Sequence, residues 1–154
     1  MAGVRARIVE VLVVRFREKH IEYLLLKRSS LRVLYPGIWQ IVSGKIRRGE
    51  KATLAARREV REETRLKIDR MWTAPFIIQF YNPAADVVEF GPLFVATAAS
   101  LARPVLSREH ESFRWLPWKK ARRLLFWPDD RKALALVHHI LSSRSPIPTV
   151  TSLR

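Results

Sequence analysis

A chain of 154 residues, 48% of them hydrophobic and five of them tryptophan, carries enough apolar material to bury the core of one domain, which excludes a wholly disordered chain. It has no cysteine, which excludes disulfides and thiolate metal centres, and no apolar run reaches the length of a membrane-spanning helix. Its 29 Lys and Arg against 14 Asp and Glu leave a formal charge of +15, which favours anionic partners, either phosphorylated small molecules or nucleic acid.

In chain order, the amino terminus lacks the apolar stretch and cleavage site of a secretory leader, so a cytoplasmic protein is expected. Arg7 to Phe16 is rich in β-branched residues and predicts a strand, with Ile21 to Lys27 as its neighbour across a turn at Arg17 to His20. Arg28 to Gly37 is a loop punctuated by Pro36-Gly37. Trp39 to Val42 predicts a short strand, and Lys51 to Thr64 a helix. Ile68 to Tyr81 predicts one or two strands interrupted at Pro75, followed by a turn from Asn82 to Asp86. Val87 to Ala98 is a further strand in which Gly91-Pro92 marks a bulge or an edge position. Glu111 to Leu116 closes the set of strands. Pro117 to Leu125 predicts a small helix and Pro128 to Leu141 a longer amphipathic one, with Ala133, Leu134, Val137 and Leu141 on its apolar side. Residues 1–141 form one domain, and residues 142–154 have no periodicity and are expected to be a flexible tail.

The helix from Lys51 holds the chemistry. Glu59, Glu62 and Glu63 fall on an arc of roughly 100° at 3.6 residues per turn, with Ala52, Ala55 and Ala56 beside them. Arg57, Arg58 and Arg61 are expected to project from the other side. Like charges at this spacing cost about 0.2–0.5 kcal/mol per pair, so the cluster calls for a counter-charge. A hard divalent cation, Mg²⁺ or Mn²⁺, suits carboxylate oxygens. A solvated acidic stripe is the competing reading of the three glutamates alone.

The surroundings of the cluster decide between them. Gly44, five residues, Glu50, seven residues, Arg58-Glu59-Val60-Arg61-Glu62-Glu63 and then Thr64-Arg65-Leu66 resembles the Nudix box, G-x5-E-x7-R-E-U-x-E-E-x-G-U with U aliphatic. Eight of nine specified positions are met, and the exception is Arg65 in place of glycine. Gly44 follows an apolar run and can supply a backbone bend. Arg58 can fork onto a carboxylate such as Glu50 and so orient the ligands. A glycine at position 65 would cap the helix in a left-handed conformation, which puts the local turn in question. The resemblance implies an α/β Nudix fold, a mixed sheet sandwiched between helices, over residues 5–141.

A second stretch, Glu109-His110-Glu111-Ser112-Phe113-Arg114-Trp115-Leu116, is similar to the E-H-x-x-aromatic-x-W-L segment of many Nudix nucleotide hydrolases. The similarity implies that Glu109 faces the box as a further metal ligand or as the general base, while His110 orients the loop. Trp39 to Gly44 resembles the W-x-x-x-x-G lead-in of dihydroneopterin triphosphate pyrophosphatase and related nucleoside triphosphate hydrolases. The implied enzyme is a Mg²⁺-dependent pyrophosphohydrolase of nucleoside diphosphates linked to a second moiety, X, with (deoxy)nucleoside triphosphates as the favoured substrates. Glu59, Glu62, Glu63 and Glu109 are the implied metal ligands. Glu62 and Glu109 are candidate catalytic groups supported by Glu50 and Arg58. Gly44, Lys45, Arg28 and Trp39 are candidate substrate contacts. A homodimer is a further expectation from similar proteins. Two alternatives stay open: a Nudix enzyme acting on RNA 5′ ends, and a catalytically silent Nudix-fold protein that binds nucleotides or nucleic acid.

Overall fold

The β-branched run near the start of the chain becomes the middle of a mixed sheet. In the computed structural model, which describes residues 1–143 and 152–153, the strands are Gly3–Arg5 (β1), Ile8–Phe16 (β2), Ile21–Arg28 (β3), Trp39–Gln40 (β4) and Val42–Lys45 (β5). Helix Ala52–Thr64 (α1) precedes Arg70–Asn82 (β6), Val87–Thr97 (β7) and His110–Pro117 (β8). Helices Trp118–Leu124 (α2) and Pro128–Ser142 (α3) follow, and Ser152–Leu153 (β9) pairs with Met71 and Trp72 of β6. Strand β2 is antiparallel to β3 and parallel to β7, and β8 adds antiparallel to β3.

Side chains of β2 alternate between two covered faces, which is why its centre, Val11 to Val14, reads as a continuous apolar run. Val9, Val11 and Val13 pack with Leu24, Leu26, Val42 and the α1 residues Ala55, Ala56 and Val60. Leu12 and Val14 pack with Tyr23, Leu25 and residues of α2 and α3, including Ala121, Leu134 and Val137. The expected α/β sandwich is therefore present, with the box helix on one face and the two later helices on the other.

Strands β2 and β3 pair only from Val14 to Phe16 and then separate. The chain from Trp39 to Lys45 enters the gap, first pairing β4 with Leu26 and Lys27 and then β5 with Ile8 to Val11. The single strand expected over Trp39 to Val42 is thus divided at Ile41, which is buried in the second core cluster. The division places Gly44 and the loop after it beside α1.

Two of the sheet's prolines, Pro75 and Pro92, occur together. Pro75 lies inside a register shift between Thr73 and Ile77, and Ile77 pairs with Pro92. The bulge expected near Gly91-Pro92 is therefore in the β6–β7 pairing, and β7 is an interior strand, not an edge. Gly91 lies where β7 changes partner from β1 to β2, and a Cβ there would collide with the Ile8 backbone. Of the tail expected from residue 142, Ser142 ends α3 and β9 joins the sheet; 144–151 and 154 lie outside the described residues. Among the described residues no helix is long and apolar enough to cross a membrane.

Helix α1 ends in a left-handed residue although that residue is not glycine. Arg65 has φ 57° and ψ 9°, and its N–H donates to the Arg61 carbonyl at 3.0 Å. The turn keeps the geometry that the glycine of the box would supply, at a cost on the order of 1 kcal/mol for a residue with a Cβ. The Arg65 side chain is exposed. Arg65→Gly should therefore stabilise the fold by about 1 kcal/mol or less, after the larger chain entropy of glycine is subtracted. A urea titration of both proteins measures this, and a drop in midpoint would show that the arginine is favoured here.

Candidate metal and catalytic site

Two glycines and an arginine assemble the acidic face of α1. Gly44 has no positive φ, so it does not supply the expected bend; its backbone is ordinary strand paired with Val9. What it supplies is space, since a Cβ at Gly44 would overlap the Glu59 carboxyl group. Gly49, at φ 75°, turns the loop into α1.

Arg58 is the brace of the cluster. Its Nε and Nη2 donate to the two carboxylate oxygens of Glu50 at 2.8 and 2.9 Å, a bidentate pair. Nη1 donates to Glu59 at 2.6 Å and to Glu62 at 3.1 Å, and Nη2 also reaches the Lys45 carbonyl at 2.9 Å. The expectation that the helix arginines project away from the glutamates is corrected for Arg58: a side chain one position from Glu59 folds back along the helix because five acceptor oxygens from four residues converge there. Arg47 adds a backbone N–H to Glu50 at 2.9 Å and a guanidinium contact to Glu62 at 3.2 Å. Arg58 and the Arg47 N–H hold the Glu50 carboxyl down at about 2, and the Arg58 guanidinium is raised in return.

The loop before β8 closes the other side. Val105 N–H donates to the Thr64 carbonyl at 2.8 Å and Ser107 N–H to the Glu63 carbonyl at 3.3 Å, so this loop is tied to the last turn of α1. Ser29 N–H donates to the Glu109 carbonyl at 2.8 Å from the end of β3. Glu63, Glu109 and His110 consequently present ligand atoms within 4.8 Å of one another. Glu63 is 3% exposed and one of its oxygens has no hydrogen-bond partner among the described residues. Burial raises its pKa well above the ordinary glutamate value, helped by Glu59, Glu109 and Glu62 and opposed by Arg28. Burial also raises Glu59, against the pull of Arg58.

This donor set fits a hard divalent cation. Carboxylates that repel one another, one of them the buried Glu63 with an unsatisfied oxygen, are the chemistry such an ion would neutralise. His110 extends the set beyond the sequence reading, which gave it only an orienting role. Its ring is buried and Nε2 meets the Gln40 amide nitrogen at 3.1 Å, while Nδ1 has no partner among the described residues. Burial, with Arg28 and Arg32, lowers its pKa to about 4, so the imidazole is neutral near pH 7. Its place directly after Glu109 was the only sequence signal for it.

The candidate substrate contacts fall in different places. Arg28 is partly buried, donates from Nε to the Leu34 carbonyl at 2.7 Å, and acts electrostatically on both Glu63 and His110. Lys45 is exposed and gives its carbonyl to Arg58. Trp39 packs against the cluster on the α2–α3 face, with the Arg114 guanidinium 5.1 Å from its ring centre. Glu111 joins Lys27 at 2.8 Å and the Ser30 N–H at 3.0 Å, and is held at about 2 chiefly by Lys27.

The NUDIX domain family matches residues 6–137. A curated octanoyltransferase of Myxococcus xanthus is 32% identical over 113 residues, covering 71% of this chain but only 30% of that protein. A NUDIX hydrolase-type protein of Listeria monocytogenes superposes with a TM-score of 0.77 at 24% identity, over 89% of this chain and 94% of the other. The dihydroneopterin triphosphate pyrophosphohydrolase of E. coli gives 0.68 at 23% identity, over 85% and 94%. At such identities the superpositions establish the fold.

The carboxylates give opposite pH dependences. Glu63 and Glu59 are raised, so their contribution is complete below their unfolded value of 4.5 and is lost as pH rises through the higher folded value. Glu50 is lowered to about 2, so its contribution is present above 4.5 and disappears as pH falls towards 2. Without divalent ions, calorimetry should show the melting temperature declining as pH rises above 4.5, with a shallower decline in Glu63→Gln. Glu10 and Asp130, raised by burial on the other side of the sheet, contribute to the same decline but should not respond to metal. Mg²⁺ should restore stability in the parent and much less in Glu63→Gln. Equal Mg²⁺ responses in the two proteins would remove Glu63 from the ligand set.

Proposed function

The chain belongs to the Nudix domain family, and on that premise we propose that it hydrolyses a nucleoside diphosphate linked to X. The favoured substrates are (deoxy)nucleoside triphosphates or a close analogue such as a pterin triphosphate, released as monophosphate and pyrophosphate. The observation that carries the reading is that Arg58 joins Glu50, Glu59 and Glu62 on one face of α1, while Glu63 of the same helix meets Glu109 and His110 at its end. A degenerate, silent member would have no reason to keep buried, mutually repelling carboxylates.

Glu59, Glu62, Glu63 and Glu109 would hold Mg²⁺ or Mn²⁺, with His110 beside them. When bound, the cation supplies positive charge to the diphosphate oxygens and makes water more acidic. The remaining steps belong to the chain. Arg58 and Glu50 keep the carboxylates in register, and the loop at Glu109 closes over the last turn of α1. Glu109, or a box glutamate such as Glu62 that the cation does not fully engage, would accept a proton from the attacking water, whose oxygen forms a bond to phosphorus as the phosphoanhydride P–O bond breaks and pyrophosphate departs.

A panel of nucleoside triphosphates, dinucleoside polyphosphates, nucleotide sugars and pterin triphosphate, scored for phosphate or pyrophosphate release with Mg²⁺, identifies X. With the best substrate, Glu109→Gln should lower kcat by roughly 10²–10⁴-fold. If the defect persists at high Mg²⁺ or with Mn²⁺, Glu109 is the proton acceptor; rescue by the metal would make it a ligand instead. Glu111→Gln, whose carboxyl is engaged with Lys27 and Ser30, should turn over almost like the parent. Loss of activity in that variant with retention in Glu109→Gln would overturn the assignment of the loop.

A further inference from the structure

The excess of positive charge is not explained by the acidic site, and much of it gathers on the opposite face of the sheet. Two adjoining cavities flank Trp118, of about 510 Å³ and about 490 Å³. Lys119, Arg122, Arg123 and Arg131 line the first with Trp118, and Arg17, Lys19 and His20 are among those lining the second. No Asp or Glu lines either one. Among the described residues, Lys119, Arg122, Arg123, Arg17 and Lys19 make no ion pair, whereas Arg58, Arg47, Arg15 and Lys27 all have carboxylate partners.

The local sequence produces this arrangement directly. In Trp118-Lys-Lys-Ala-Arg-Arg-Leu124, Ala121 is buried while Lys119, Lys120, Arg122 and Arg123 are exposed. Trp118 is held between the two cavities by stacking on His138, with ring centres 4.9 Å apart and planes 17° from parallel. His138 is itself fixed by the Tyr23 hydroxyl at 2.9 Å from Nδ1. Phe16, which also lines the second cavity, is 48% exposed. Arg17 is bonded to the Ser100 carbonyl and His20 to Glu22, which leaves, among the described residues, Lys119, Arg122, Arg123 and Lys19 as cations without a carboxylate around this ring. A pre-oriented aromatic ring beside them matches a ligand that alternates phosphates with flat rings.

We propose that this face, centred on Trp118, binds single-stranded nucleic acid, with Arg122, Arg123 and Lys119 on backbone phosphates and Trp118 offering a surface for an unpaired base. A duplex keeps its base faces inside the stack and would not use the ring. The inference is independent of the hydrolase reading, because the cavities lie across the sheet from the glutamates and binding there needs no metal.

The test is fluorescence anisotropy with a labelled oligouridylate of about twelve nucleotides, in EDTA so that turnover cannot intervene. Arg122→Gln/Arg123→Gln should weaken binding roughly tenfold and reduce the slope of log affinity against log salt by about 1.4, two phosphate contacts on a single strand. Lys67→Gln/Arg70→Gln removes the same charge from exposed positions elsewhere and should bind almost like the parent. Trp118→Phe, which keeps a ring in the core, should weaken the oligouridylate while leaving heparin, a polyanion without bases, unchanged. Equal weakening in both charge variants would reduce the effect to diffuse charge and overturn the site. Equal affinity for the single strand and its duplex, or no binding at low salt, would overturn it as well.

Discussion

The acidic site depends on one guanidinium. Glu59, Glu62 and Glu63 share a helix face and repel one another, and a helix made to carry them needs an internal opposing charge before any ligand arrives. Arg58 provides it by touching Glu50, Glu59 and Glu62 at once while also bonding the Lys45 carbonyl. Because guanidinium donors are planar and fixed in direction, the same contacts that balance charge also set the angles of three carboxyl groups and the path of the loop before α1. Lysine could balance charge but could not hold that geometry.

Around this brace, exposure is graded along the face. Glu63 is buried, Glu59 has 12% of its side chain exposed and Glu62 48%. Arg58 leaves Glu63 without a direct contact, and Glu63 is the carboxylate whose charge is most disfavoured by burial. The unmet demand is therefore concentrated beside Glu109 and His110, where the loop tied to Thr64 and Glu63 meets the end of β3. The site is thus built with a deficit of positive charge at its deepest point, the arrangement expected where a cation is to be taken up.

Charge is also divided between the two sides of the sheet. On the box-helix side Arg58 and Arg47 are engaged with glutamates and Arg28 with a backbone carbonyl, while Arg48, Arg61, Arg65 and Lys67 are exposed. On the α2–α3 side, the half-buried Glu10 of β2 and the buried Asp130 in the first turn of α3 have raised pKa values, while among the described residues the exposed cations of α2 make no ion pair.

Much was legible in the sequence. The spacing from Gly44 to Leu66 identified the helix, its glutamates and the Arg58–Glu50 pair, since local periodicity places residues three and four apart on one face whatever surrounds them. The long strands, the turns and the two late helices followed from apolar runs and their punctuation. Strand β1 escaped because three residues carry no period and their partners, Val87 to Glu89, are distant in the chain. The division at Ile41, the closeness of Gly44 to the Glu59 carboxyl group, the folding back of Arg58 and the arrival of His110 beside Glu63 were decided only by tertiary structure. Each depends on two segments far apart in sequence meeting within a few ångströms. A pattern along one chain can state which residues share a helix face, but which strand, loop or carboxylate comes to face them is set by how the sheet separates and closes around the core.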